Sequence, residues 1–175
     1  MTNSQQKILV SSCLFGMPVR YDGKSNQVHA EIWQKWKAQG MLLPFCPELL
    51  AGLPIPRSSA EIRGGTGFDV IKRAPNVKII SRSSSEEKDI EEKDVTEIFL
   101  LGAHRLLEIA KQHVVKIAIL KERSPSCGSN KTYDGSFSRK LISGPGVAAA
   151  LLMENGIKVF SEENLIAAEK YLSAL

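Results

Sequence analysis

The chain has 175 residues, 43% of them hydrophobic and 24% charged, and a net charge of +4. That is long enough to bury a core without disulfide staples and too apolar for a disordered chain. No apolar run approaches the ~20 residues that a spanning helix needs, so no membrane partner is expected.

Residues 1–6 lack the basic start and apolar stretch of a signal peptide. Three cysteines, an odd number, make no disulfide framework and point to a reducing cytoplasm. One domain over residues 1–175 follows. The charge excess is concentrated in residues 57–82, where Arg57, Arg63, Lys72, Arg73, Lys78 and Arg82 face only Glu61 and Asp69. Such a patch is either a solvated surface or a contact for RNA.

In chain order, residues 7–12 read as a buried parallel strand, and 13–23 as a loop broken by Gly16, Pro18 and Gly23. Helical spacing starts near His29, with Ile32, Trp33 and Trp36 on one face and Gly40 as its stop. Residues 42–46 form a second strand, which Pro44 suits to a sheet edge. A proline-punctuated loop follows. Gly64-Gly65-Thr66-Gly67 reads as a link without a following helix, not as a nucleotide-binding loop. Residues 68–71 and 77–80 read as a small hairpin, and 81–93 as a polar, exposed crossover. Asp94 opens a long helix, with Glu97 completing a capping box and Ile98, Leu101, Ala103, Leu106, Ile109 and Ala110 as its buried stripe. Residues 114–120 give the clearest strand, followed by a turn-rich loop. A helix from about 147 to 154, a strand at 157–160 and a last helix capped by Ser161 complete the chain. Alternating strands and helices predict an α/β fold: a three-layer, Rossmann-like, mostly parallel sheet with helices on both faces, plus a small hairpin. Ligands are then expected beyond the carboxyl ends of the strands.

Each cysteine stands at such an end. Cys13 follows the first strand, Cys46 the second, and Cys127 lies in the loop after residues 114–120, each flanked by Ser, Pro or Gly. Adjacent strands lie about 4.8 Å apart, so three neighbouring ends can share one pocket. Buried, unrelated thiols are one reading. Zinc on three cysteines plus His29 or His113 is another, although structural zinc sites usually carry closely spaced pairs. An iron–sulfur cluster accepts scattered ligands. With three thiolates, a four-iron cube keeps one iron open as a Lewis acid for a soft substrate sulfur. Glu48, two residues past Cys46, is a candidate general base whose pKa an apolar strand end would raise. Ser11, Ser12, Ser124 and Ser126 can bond a substrate or only cap turns. Arg20, Asp22, Lys121 and Glu122 are further polar candidates.

The segments Val10-Ser11-Ser12-Cys13-Leu14, Val19-Arg20-Tyr21-Asp22-Gly23 and Pro44-Phe45-Cys46-Pro47-Glu48 resemble the thiouracil desulfidase family. So do Leu53-Pro54-Ile55-Pro56-Arg57, Ala60-Glu61-Ile62, Asp94-Val95-Thr96, Tyr133-Asp134-Gly135 and the stretch from Leu120 to Gly128. The likeness continues to Asn164. Two positions depart from the family's pattern: Ser58-Ser59, where a proline usually precedes Ala-Glu, and Lys93, where glycine is common.

The resemblance implies a 4Fe-4S cluster on Cys13, Cys46 and Cys127, with Glu48 as catalytic carboxylate and Ser124 as catalytic hydroxyl. Ser12, Asp22 and Ser126 are expected substrate contacts. The implied reaction is hydrolytic removal of sulfur from a small thiolated pyrimidine base, giving uracil and hydrogen sulfide without flavin or nicotinamide. The alternatives are an iron–sulfur sensor and an RNA-associated binding protein, neither with desulfidase turnover.

Overall fold

The computed structural model describes residues 6–83 and 90–175. In chain order, the first half holds β1 (Ile8–Ser11), α1 (Ser12–Phe15), α2 (Glu31–Ala38), β2 (Leu42–Phe45), α3 (Pro47–Leu50), β3 (Ser59–Arg63), α4 (Gly67–Ile71) and β4 (Lys78–Arg82). The second half holds β5 (Glu92–Asp94), α5 (Thr96–Gln112), β6 (Ile117–Leu120), β7 (Lys131–Tyr133), β8 (Leu141–Ser143), α6 (Val147–Glu154), β9 (Lys158–Ser161) and α7 (Leu165–Leu172).

The central sheet runs β2-β1-β6-β9, with every pair parallel. Its strands are mostly apolar because both faces are covered, the exposed Lys158 of edge strand β9 being the charged exception. On one face Ile8, Val10, Ile117 and Ile119 pack on Trp33 and Trp36 of α2 and Ala168 of α7. On the other, Leu9, Ala118 and Leu120 pack on Phe99, Ala103 and Leu106 of α5 and on Ala148 and Leu151 of α6. Alternate residues of each strand thus feed alternate cores, which gives the expected three layers. Pro44 does lie on an edge strand.

Several local expectations are corrected. Residues 68–71 form α4, not a strand, because Asp69 Oδ2 accepts hydrogen bonds from the amide and hydroxyl of Thr66 at 2.7 and 2.8 Å and starts a helix. The glycine-rich link is therefore followed by a helix after all. The antiparallel partner of β4 is β3, and β5 adds a third strand. Of the polar stretch 81–93, Ser81, Arg82 and residues 92–93 lie in strands, while residues 84–89 lie outside the described residues. Cys13 stands on the helical turn α1 rather than in a loop.

At the start of α5, Asp94 binds the Thr96 amide and hydroxyl, while Glu97 pairs with Arg73 instead of closing a capping box. The buried stripe of α5 runs through Phe99, Leu100, Gly102, Ala103, Leu106, Leu107 and Ala110, and Leu101 is exposed. Gly102 explains the rotation: a Cβ there would stand 2.2 Å from the Pro47 carbonyl oxygen, so α3 rests directly on the α5 backbone. That contact seats the turn carrying Cys46 and Glu48.

The basic patch is largely neutralised. Arg57, Arg63, Arg73, Lys78 and Arg82 pair respectively with Glu48, Glu92, Glu97, Asp94 and Glu92, acids from outside the patch. No helix among the described residues is long and apolar enough to cross a membrane.

Candidate active site

From the central strands the chain turns opposite ways, β1 toward β2 and β6 toward β9, so the switch point lies beyond the carboxyl ends of β1 and β6. A cavity of about 520 Å³ opens there. Cys13, Cys46 and Cys127 all line it, with Ser12, Glu48 and Ser124. Two expected contacts stand apart. Asp22 does not line the cavity; it fixes Arg20, which does, through bonds of 3.2 and 3.1 Å. Ser126 is 1% exposed and lies outside the lining, its hydroxyl without a partner among the described residues. His29 and His113 are exposed and line no part of the cavity.

The three thiols are free, and they feel one another. Burial first, then the neighbouring Cys46, pushes the Cys13 thiol up to about 11. Burial raises Cys46 as well. Burial followed by Cys46 raises Cys127 well above the ordinary thiol range, against a hydrogen bond from Ser11. Among the described residues, no three His, Cys, Asp or Glu side chains are placed to hold a single metal ion. A tetrahedral zinc needs its sulfurs closer together than about 4.6 Å, twice a Zn–S bond of ~2.3 Å.

The Cys127 loop is built from its backbone outward. Ser124 Oγ accepts the amides of Ser126 and Cys127, both at 3.1 Å, which occupies its lone pairs and leaves its hydrogen to donate. The amides of Val147, Ala148 and Ala149, at the start of α6, bond the Pro125 and Ser126 carbonyls at 2.8 to 3.1 Å. Beneath the loop lies Glu122, 3% exposed. Its Oε1 accepts the amides of Ser129, Asn130 and Lys131, each at 3.0 Å; Oε2 accepts from the Ser129 hydroxyl and the Asn130 amide group. Burial alone would push this carboxyl up, but the Asn130 and Lys131 amides and the two side-chain donors outweigh it and hold it at about 2. Glu122 is thus a structural anchor.

Glu48 is not in the apolar surroundings its sequence position suggests. Arg57 Nε grips Glu48 Oε2 at 2.6 Å, with the two side chains 8% and 14% exposed, Arg57's value first. The same guanidinium donates to the Val19 and Pro54 carbonyls. Among the described residues, only one carboxylate oxygen of Glu48 is engaged.

Glu61, Tyr133, Phe137 and Arg139 complete a second wall, from β3 and the β7–β8 hairpin. Sequence reasoning missed them as site residues, although Glu61 and Tyr133 lie inside motifs it had singled out. Glu61 Oε2 accepts the Gly135 and Phe137 amides at 3.0 and 2.9 Å. Gly135 (φ +85°) lies so close to β3 that a Cβ would meet the Arg63 Cα at 2.5 Å. Arg123, Phe137 and Arg139 hold left-handed backbone at φ 67°, 59° and 64°, a cost of roughly 1–2 kcal/mol each. For Phe137 the cost is offset by its bond to Glu61. Three further non-glycine residues with positive φ, Arg73, Asn76 and Val114, lie away from the cavity.

A sequence model of the 2-thiouracil desulfurase family matches residues 8–164. A solved structure, described as the 4Fe-4S-dependent thiouracil desulfidase TudS, is 38% identical; the match covers 97% of this chain and 99% of that one at a TM-score of 0.82. An uncharacterized protein of Bacillus subtilis strain 168, YbbK, is 44% identical over 158 residues, 90% of this chain and 97% of its own length.

Proposed function

The chain belongs to the 2-thiouracil desulfurase family, and on that premise we propose that it hydrolyses a small thiolated pyrimidine to the oxo base and hydrogen sulfide in the cytoplasm. What supports the reading most is that three cysteines from three strand ends line one cavity together with a carboxylate and a donor hydroxyl. Cys13, Cys46 and Cys127 would hold a 4Fe-4S cluster. The donor set suits it: burial and mutual repulsion weigh against three bare thiolates, and iron brings the compensating charge. When bound, the cluster supplies an open Lewis-acidic iron with an affinity for soft sulfur.

The chain's own residues do the rest. Arg57 fixes one oxygen of Glu48, leaving Oε1 to take a proton from the water that attacks the thiocarbonyl carbon. Ser124 donates its hydroxyl hydrogen to the base and orients it. As the carbon–sulfur bond breaks, the sulfur leaves with both water protons as hydrogen sulfide. Carbon keeps the water oxygen, and no electron is transferred overall.

The test is anaerobic reconstitution with an iron count and a sulfide assay on 2- and 4-thiouracil. Cys127→Ala is expected to lose the cluster and the activity; a variant that kept both would reject the assignment. Glu48→Gln is expected to keep its iron and lose about 10²- to 10⁴-fold in turnover. A wild-type protein that assembles its cluster but releases no sulfide from any thiobase would be a sensor instead.

A further inference from the structure

We propose that Glu61 recognises the substrate, its Oε1 accepting a ring N–H of the pyrimidine. This rests on the pyrimidine reading above and adds a specificity residue to it.

Glu61 is 8% exposed and lines the cavity. Its two oxygens differ. Oε2 is saturated by the Gly135 and Phe137 amides, whereas Oε1 makes no hydrogen bond among the described residues. Nor is Oε1 sealed off, since it is absent from the fully buried atoms without partners, Ser126 Oγ and Thr132 Oγ1. Arg63, two residues along β3, is committed to Glu92 and to the Gly135 carbonyl. Among the described residues, the cavity therefore contains a fixed acceptor that makes no salt bridge. A sparsely solvated carboxylate oxygen is costly until a donor meets it.

The same carboxylate that offers Oε1 holds the Phe137 amide, and Phe137 lines the same cavity with Arg82 stacked on its ring at 4.3 Å. A fixed acceptor and a braced aromatic ring, set by one side chain, suit a flat heteroaromatic that carries N–H on its edge. Thiouracil has such an edge beside its thiocarbonyl.

Glu61→Gln tests the assignment while keeping an acceptor for the loop. The amide oxygen must stay on the Gly135 and Phe137 amides, so the NH₂ replaces Oε1 and an acceptor becomes a donor. Holoenzyme kcat/KM is compared for 2-thiouracil and its N1-methyl and N3-methyl derivatives. The wild type is expected to disfavour one methylated base by about 10- to 100-fold. In Glu61→Gln the parent base is expected to fall to the level of that derivative, with iron content unchanged. A preference that survives in Glu61→Gln would overturn the proposal. So would a wild type indifferent to both methyl groups, which needs no variant to fold.

Calorimetric binding of uracil to the holoprotein supplies a readout without turnover. If no thiobase releases sulfide yet uracil binding weakens about tenfold or more in Glu61→Gln, the desulfidase reading falls and the recognition role stands. If sulfide release is normal and uracil binding is unchanged in the variant, recognition by Glu61 falls alone.

Discussion

Replacing Glu122 with Gln should separate the anchoring of the Cys127 loop from the chemistry of the cavity. The Glu122 carboxyl, 3% exposed, is held at about 2 against an ordinary value of 4.5. The difference corresponds to roughly 3 kcal/mol of stability at neutral pH. Because the folded pKa is the lower one, this stability is complete above pH ~4.5 and is lost as the pH falls toward 2. The glutamine keeps an acceptor for the three amides but turns a donor toward the Asn130 amide group, so it forgoes the charge-assisted part. Trp33 and Trp36, at 0% and 3% exposure, report unfolding by fluorescence. Urea titrations of the apoprotein should show wild type ahead of Glu122→Gln by about 3 kcal/mol at pH 7 and by roughly half of that at pH 3. An equal gap at both pH values, or one under about 0.5 kcal/mol at pH 7, would show that the carboxylate is not charged and bound as described.

Three further outcomes can be checked. Gly102→Ala places a methyl 2.2 Å from the Pro47 carbonyl oxygen, so it should cost about 1–3 kcal/mol and lower iron per chain, since Cys46 and Glu48 flank Pro47. Wild-type iron content in that variant would separate α3 seating from ligand placement. Arg57→Ala removes the partner of a buried carboxylate and should cost about 3–5 kcal/mol in urea unfolding; a loss under 1 kcal/mol would mean the pair is solvated in solution. With the cluster removed, the Cys13 thiol should alkylate slowly at pH 8, its rate climbing with pH until about 11, as followed by mass spectrometry. A plateau near pH 9 would contradict the burial described.

The central sheet was legible because its strands are continuous apolar runs that end in turn residues, and cysteines mark the ends of three of them. What escaped the sequence was whatever depends on partners distant in the chain. β3 went unread because Ser59-Ala60-Glu61-Ile62-Arg63 places a charged residue inward, acceptable only where the Gly135 and Phe137 amides wait some 75 residues later. The apolar residues of 68–71 suit a strand until Asp69 reaches back to Thr66. Glu122 read only as a further polar candidate for the site, and its anchoring role stayed hidden because three of its partners are backbone amides, which carry no signature in side chains. Glu48 was recognisable by its neighbour Cys46, but its pairing with Arg57 required the proline-rich loop to fold back. Asp22 and Ser126 show the limit of adjacency: each sits near a cysteine motif, yet one serves Arg20 and the other lies outside the cavity.

The Arg57 guanidinium has a mechanical consequence. It bonds Val19 in the segment after Cys13, Glu48 just past Cys46, and Pro54 in the intervening loop. Two cysteine-bearing arms and the Glu48 carboxylate are thereby riveted to one plate of five N–H groups. A ligand that pushed residues 19–21, which line the cavity, aside would carry the Glu48 carboxylate with it, so widening that wall and withdrawing the carboxylate become the same motion.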